Sequence, residues 1–243
     1  MDAAVHGGAV DRAPFRVGGV VPFSTTDWPG RLAAVVFAQG CPWRCGYCHN
    51  PHLIPAEGPD EREWEAVRAW LETRKGLLEA VVFSGGEPTA QPGLRDALSA
   101  VRDLGFRTGL HTGGIYPRKL PALLPHLDWV GLDIKAPRAH YGRVTGVDGS
   151  GLGAFVALAL LQQAGVAHEV RTTVHLGLTP PELLETLATE LAVAGVHDWV
   201  LQPFRPQGCL DATLSAAAPH GTTLDDALLA RLRERVPGVV VRA

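Results

Sequence analysis

The sequence predicts an α/β fold with a parallel sheet, on three observations. Short apolar runs rich in β-branched residues alternate with helical patterns along the chain. Six such βα units can be counted, short of the eight that close a barrel, so an open sheet or an incomplete barrel is expected. The residues that stand out chemically all fall just after the strand runs, where parallel α/β folds carry their function. Without repeats or long linkers, residues 16–243 are expected to form one domain behind a loose leader at 1–15.

Taken in order, "LAAVVFA" from Leu32 is a buried-strand run, and 61–75 places Trp64, Val67 and Leu71 on one helical face. "AVVFSGG" from Ala80 is a strand, 93–104 a helix, and "FRTGLHT" from Phe106 a strand. A short helix at 118–124 precedes the strand "DWVGLDIK" from Asp128, and 151–164 is helical. The strand "HEVRTTVH" from His168 leads to a helix at 181–194 that starts on proline. "DWVLQPF" from Asp198 is the sixth strand, 214–223 reads as an exposed loop, and 224–236 is a final helix before "GVVVRA".

Composition excludes several classes. The chain has 243 residues, 46% of them hydrophobic, enough for a substantial core. Its formal net charge is −3, with no basic run of the kind that binds nucleic acid or membrane surfaces, so neither is an expected partner. The N-terminus lacks a basic start followed by an apolar core, and no apolar stretch is long enough to span a bilayer. A cytoplasmic protein is expected. Four cysteines grouped three plus one do not suggest a disulfide framework.

Those three, Cys41, Cys45 and Cys48, lie in "QGCPWRCGYCHNP" after the first strand. A structural zinc site would ask for four ligands in paired halves, and a thiol-redox pair for an isolated C-x-x-C. Three thiolates on one loop suit instead a four-iron cluster with one iron open. "SGGEPT" (84–89) follows the second strand, "HTGG" (111–114) the third, and "DIKAP" (133–137) ends the fourth. Arg171, Thr173 and His175 alternate on one face of the fifth strand, as Gln202 and Phe204 do on the sixth.

The C-x3-C-x-aromatic-C spacing of Cys41, Cys45, Tyr47 and Cys48, followed by "SGGEP" on the next loop, resembles the signature of the radical S-adenosylmethionine (radical SAM) superfamily. "TDWPGRLAAVVFAQGCPWRCGYCHNP" is similar to the start of its glycyl-radical-enzyme activases, in particular those serving anaerobic ribonucleotide reductase, and "DIKAP" and Arg171 fall where those proteins place such residues. Two positions depart from the activase pattern: Gly113, where Thr-Asn-Gly is usual, and Arg205, where pyruvate formate-lyase activases carry histidine.

The resemblance implies a partial (β/α)6 barrel, a [4Fe-4S] cluster on Cys41, Cys45 and Cys48, and S-adenosylmethionine chelated at the open iron. Reductive cleavage would yield a 5′-deoxyadenosyl radical that generates a glycyl radical on a partner enzyme, with a flavodoxin- or ferredoxin-type electron donor. Ser84, Gly85 and Gly86 would let the backbone approach the methionine moiety. Glu87 would accept from its ammonium, or else serve as a helix-terminus carboxylate. Tyr47 would lie near the adenine, or simply pack. Asn50 would touch the cofactor, or cap the loop. Asp133, Lys135 and Arg171 would meet cofactor hydroxyl or carboxylate groups, or form a plug of ion pairs. His111, His175 and Cys209 read as structural. Two other functions remain open: a radical SAM enzyme of the 7-carboxy-7-deazaguanine synthase kind, acting on a small molecule, and a non-catalytic zinc scaffold.

Overall fold

The computed structural model describes residues 14–221 and 224–242. Its frame is one eight-stranded sheet in sequence order: β1 (Val17–Ser24), β2 (Ala33–Ala38), β3 (Ala80–Gly85), β4 (Arg107–Thr112), β5 (Trp129–Asp133), β6 (His168–Val174), β7 (Asp198–Pro203) and β8 (Gly238–Val241). From β2 to β8 every pairing is parallel, and β1 runs antiparallel to β2. β1 and β8 do not pair, so the barrel stays open between them.

The helices are α1 (Trp64–Glu72), α2 (Leu94–Asp103), α3 (Leu120–Leu123), α4 (Tyr141–Thr145), α5 (Gly151–Ala164), α6 (Pro181–Val193), α7 (Ala212–Gly221) and α8 (Asp226–Arg233). The six expected strands are β2 to β7. Two more flank them. β1 reads poorly as a strand because it contains Gly18, Gly19 and Pro22, a composition that suits an edge. The stretch 214–223, expected as a loop, is helical through Gly221 as part of α7. Asp211 caps it, accepting from the N–H groups of Thr213 and Leu214 at 2.9 Å each, ahead of an alanine-rich run. Of the expected leader, residues 1–13 lie outside the described residues, while Phe15 is buried edge-on against Phe83 and Trp64.

Strand alternation sorts the core into two parts. One face of each strand meets the helices: Ala34, Val36, Val81 and Phe83 pack with Val67, Leu71, Leu94 and Leu98. The inner face carries a separate cluster, Trp28, Ala33, Ala80, Val82 and Trp129, at the N-terminal ends of the strands. Trp28 lies stacked on Trp129 at 5.5 Å. The Asp27–Trp28 segment after β1 thus plugs the bottom of the barrel, and the space above it is left for the site.

Candidate active site

The cluster loop is fixed at both ends by backbone hydrogen bonds. Gly40 and Cys41 donate to Leu53 and Ile54 at 2.8 and 3.0 Å, while Arg44 and Gly46 donate to Thr145 and Val144 of α4 at 3.0 and 3.1 Å. The loop after β3 is tied to it directly, Gly86 N–H donating to Ala38 and Glu87 N–H to Gly40 at 3.0 and 2.9 Å. Gly85 and Gly86 are needed for this loop contact. A Cβ on Gly85, where φ is +107°, would sit 2.5 Å from the Ala38 nitrogen, and one on Gly86 would sit 2.3 Å from the Gly40 oxygen. Their lack of side chains lets the two loops meet.

Glu87 is 2% exposed and saturated from within. One carboxylate oxygen accepts from Thr89 N–H at 2.9 Å, Thr89 hydroxyl at 2.5 Å and Thr112 hydroxyl at 2.8 Å, and the other accepts from Gly113 N–H at 3.0 Å. Burial pushes its pKa up, against the pull of those donors. Of the two readings, these bonds favour the helix-terminus carboxylate, and through them Glu87 clamps the loop after β3 to the loop after β4. Ser84 is likewise engaged, with His111 Nδ1 at 3.2 Å.

Below them lies a polar layer. Arg171 donates through Nε and an Nη to the same Asp133 oxygen, at 2.9 and 2.8 Å, and the other Asp133 oxygen faces Lys135 Nζ at 3.6 Å. Against the upward pull of burial, Arg171 and Lys135 hold the Asp133 carboxyl low. His111 Nε2 lies 2.7 Å from the Asp27 carbonyl and 3.0 Å from an Arg171 Nη. One neutral ring nitrogen can serve only one of them. Burial, then the Arg171 charge, pushes the His111 pKa down to about 3. Arg171 and Asp133 thus form the ion pair that the plug alternative expects, with His111 packed against it. Gly131 makes room for it, since a Cβ there would lie 2.8 Å from the Arg171 guanidinium. A glycine inside a strand run was the available signal.

Above the layer opens a cavity of about 190 Å³, lined by Cys41, Cys45, Cys48, Tyr47, Asn50, Ser84–Glu87 and Lys135 among others. It brings all the sequence-predicted residues together except Arg171, which lines a neighbouring cavity. The three thiols are free. Among the described residues no three His, Cys, Asp or Glu side chains converge on a single-ion position. Thiols around one cavity without one focus match a cluster, in which each sulfur takes a different iron. Burial pushes the Cys41 thiol up to about 12 and the Cys45 and Cys48 thiols upward, so the thiolate forms need a cationic metal centre beside them.

Other groups in this cavity are also unmatched. The Tyr47 hydroxyl is buried with no hydrogen-bond partner among the described residues. Asn50 makes no side-chain cap, so the capping alternative fails for it. Lys135 stands over the Tyr47 and Trp43 rings at 5.7 and 6.0 Å, with Asp133 its one ion-pair partner among the described residues. Burial opposes its charge, yet Tyr47, Asp133 and Cys45 around it keep its pKa well above the usual value.

Four lining residues were missed from the sequence: Trp43, His49, Ile54 and Ile115. Trp43 is buried against Gly113, where a Cβ would lie 2.5 Å from its ring, so the Gly113 departure provides space for this indole. His49 stacks on Phe204 at 5.6 Å. Cys209 donates to the Gly46 carbonyl at 3.4 Å, and His175 is buried with its Nε2 3.1 Å from the Leu214 carbonyl.

A family model described as the Radical SAM superfamily matches residues 35–189. The pyruvate formate-lyase-activating enzyme of Clostridium pasteurianum is 36% identical over 125 residues, 49% of this chain and 52% of that protein. The enzyme of the same name from Streptococcus mutans is 34% identical over 126 residues, 46% of this chain and 48% of that one. The match thus spans about half the length of these relatives. The structure of Streptococcus suis SuiB bound to S-adenosylmethionine superposes with a TM-score of 0.59 at 15% identity, over 84% of this chain and 48% of that one, a likeness of fold. Among the described residues no helix is long and apolar enough to cross a membrane.

Proposed function

Because this chain belongs to the radical SAM superfamily, whose enzymes work with a [4Fe-4S] cluster and S-adenosylmethionine, we propose that the thiol-lined cavity is its cofactor site and that it activates a glycyl-radical enzyme. Cys41, Cys45 and Cys48 would hold the cluster, with S-adenosylmethionine bound beside it in the same cavity. When bound, this pair supplies a one-electron cleavage to methionine and a 5′-deoxyadenosyl radical that takes a hydrogen atom and ends as 5′-deoxyadenosine.

The chain's own residues bind and orient. Lys135, whose ammonium has no hydrogen-bond partner among the described residues, meets a cofactor carboxylate. The Tyr47 hydroxyl and the Asn50 carboxamide supply polar contacts that nothing among the described residues uses up. Glu87, Gly85 and Gly86 hold the walls together, and the Arg171–Asp133–His111 layer closes the floor. Three thiols around one cavity carry the reading. Its finer part, a partner of the anaerobic ribonucleotide reductase type and an electron donor of flavodoxin or ferredoxin type, is supported by the resemblance of the cluster-loop segment.

Anaerobic reconstitution tests it. The wild type should take up about four irons, and Cys45→Ala should lose them. Mixed with the partner and reductant, it should give a glycyl radical signal by electron paramagnetic resonance. A colourless protein holding one zinc would defeat the proposal. Turnover of a pterin-like small molecule without any protein partner would favour the deazaguanine-synthase alternative.

A further inference from the structure

The turn that follows β7 is seated on the cluster loop. Cys209 N–H donates to the Pro206 carbonyl at 3.1 Å and closes the turn. Gly208, at φ +83°, lies so close to the cluster loop that a Cβ would stand 2.3 Å from the His49 carbonyl oxygen. Beside it, Cys209 Sγ lies 3.4 Å from the Gly46 carbonyl and 3.9 Å from the Asp211 carbonyl. A thiol has one proton to give, and the shorter contact directs it to Gly46.

That contact fixes the plane of a peptide group between two cysteines of the triplet. The 46–47 peptide bond is trans, so its C=O and N–H point in opposite directions. Holding the carbonyl toward Cys209 therefore turns the Tyr47 N–H away from it. Tyr47 is 5% exposed and lines the thiol cavity. Its N–H meets no oxygen or nitrogen acceptor among the described residues. A buried N–H is rarely left unpaired, and its neighbours indicate what takes it. Two residues beyond Cys41 and two beyond Cys48, the N–H groups of Trp43 and Asn50 bond to those thiols. Burial raises both thiol pKa values, and these N–H groups pull against it. Tyr47 holds the same place relative to Cys45.

We infer that the Tyr47 N–H is a donor to the cluster and its sulfur ligands, and that Cys209 is the positioning residue that aims it through the Gly46 carbonyl. The fourth cysteine is thus not a ligand. Hydrogen bonds to cluster sulfur favour the more negative, reduced form, so Cys209 sets how readily the cluster accepts an electron. The inference rests on the reading of the thiol-lined cavity as the cofactor site.

Potentiometric titration of the anaerobically reconstituted protein tests it, without S-adenosylmethionine and followed by electron paramagnetic resonance of the reduced cluster. Wild type, Cys209→Ala and Cys209→Ser should each hold about four irons. At the wild-type midpoint, the ratio of reduced to oxidised cluster should fall about threefold in Cys209→Ala. Cys209→Ser, whose hydroxyl still donates, should recover most of that loss. A ratio unchanged in Cys209→Ala, or a fall as large in Cys209→Ser, overturns the inference. So does loss of iron from either variant, which would make Cys209 a ligand. A wild type that takes up no iron brings down the cofactor reading as well. One whose cluster is reducible at a potential indifferent to residue 209 defeats this inference and leaves the cofactor site standing.

Discussion

Replacing Glu87 by glutamine separates a clamp from a cofactor ligand. The change keeps the shape and exchanges one oxygen for an NH2 group. If the carbonyl stays where three donors converge, the NH2 group faces Gly113 N–H across 3.0 Å, and that N–H loses its acceptor. If the carboxamide turns over, Gly113 is satisfied, and Thr89 N–H, now 2.9 Å from its acceptor, is orphaned instead. The threonine hydroxyls can rotate to suit either state, but a backbone N–H cannot. One buried N–H left unpaired costs about 1–3 kcal/mol, and the surviving bonds lose their charge assistance, so a total near 2–4 kcal/mol is expected. That is a large share of the ~5–15 kcal/mol by which a domain is stable. Urea unfolding of the metal-free protein under anaerobic conditions measures it, with affinity for S-adenosylmethionine read on the reconstituted form. A stability loss within about 0.5 kcal/mol, the range of an uninvolved surface change, coupled to much weaker cofactor binding, would refute the clamp and return Glu87 to the ammonium.

Three further outcomes follow from the same geometry. His111 has a folded pKa of about 3 against 6.5 unfolded, so between those values the unfolded chain binds the extra proton. Stability should therefore rise with pH across that window, by ~1.4 kcal/mol per unit for one proton, and be lost as pH falls. Urea midpoints for the wild type minus those for His111→Gln, between pH 4.5 and 6, isolate this slope, and a flat difference rejects it. Gly113→Ala should cost about 1–3 kcal/mol through collision with the Trp43 ring. Trp43→Leu in the same chain should relieve part of it, and additivity of the two changes would show that the residues do not touch. Lys135→Met should weaken S-adenosylmethionine binding by roughly tenfold or more, as expected for loss of a charge-assisted contact, while the reconstituted protein keeps its iron. Unchanged affinity would free the lysine from that role.

What the sequence reveals here depends on how far each feature reaches along the chain. The cysteine triplet and the Gly85-Gly86-Glu87 turn are legible because their meaning lies in local spacing on consecutive loops. The identity of the unpaired groups is legible only in part. Lys135 and Asp133 stand two residues apart in a run that reads as strand and are expected on one side, but Arg171 reaches Asp133 from the next strand over, in the register that pairs the two. Glu87 shows the limit most sharply. Its partners Thr112 and Gly113 lie 25 and 26 residues away, and nothing in "SGGEPT" says that four donors will be waiting. The same holds for Gly113, which in the sequence is only a departure from the activase pattern. In the fold it is the cavity wall giving way to Trp43, a residue 70 positions earlier between two cluster cysteines. β1 and α7 failed for a different reason: an edge strand with two glycines and a proline carries little periodic signal, and an alanine-rich helix needs its Asp211 cap to be noticed. The errors therefore run in one direction. Local spacing identified the residues that gather around the thiol-lined cavity, and could not show which of them also hold its walls together across distant loops.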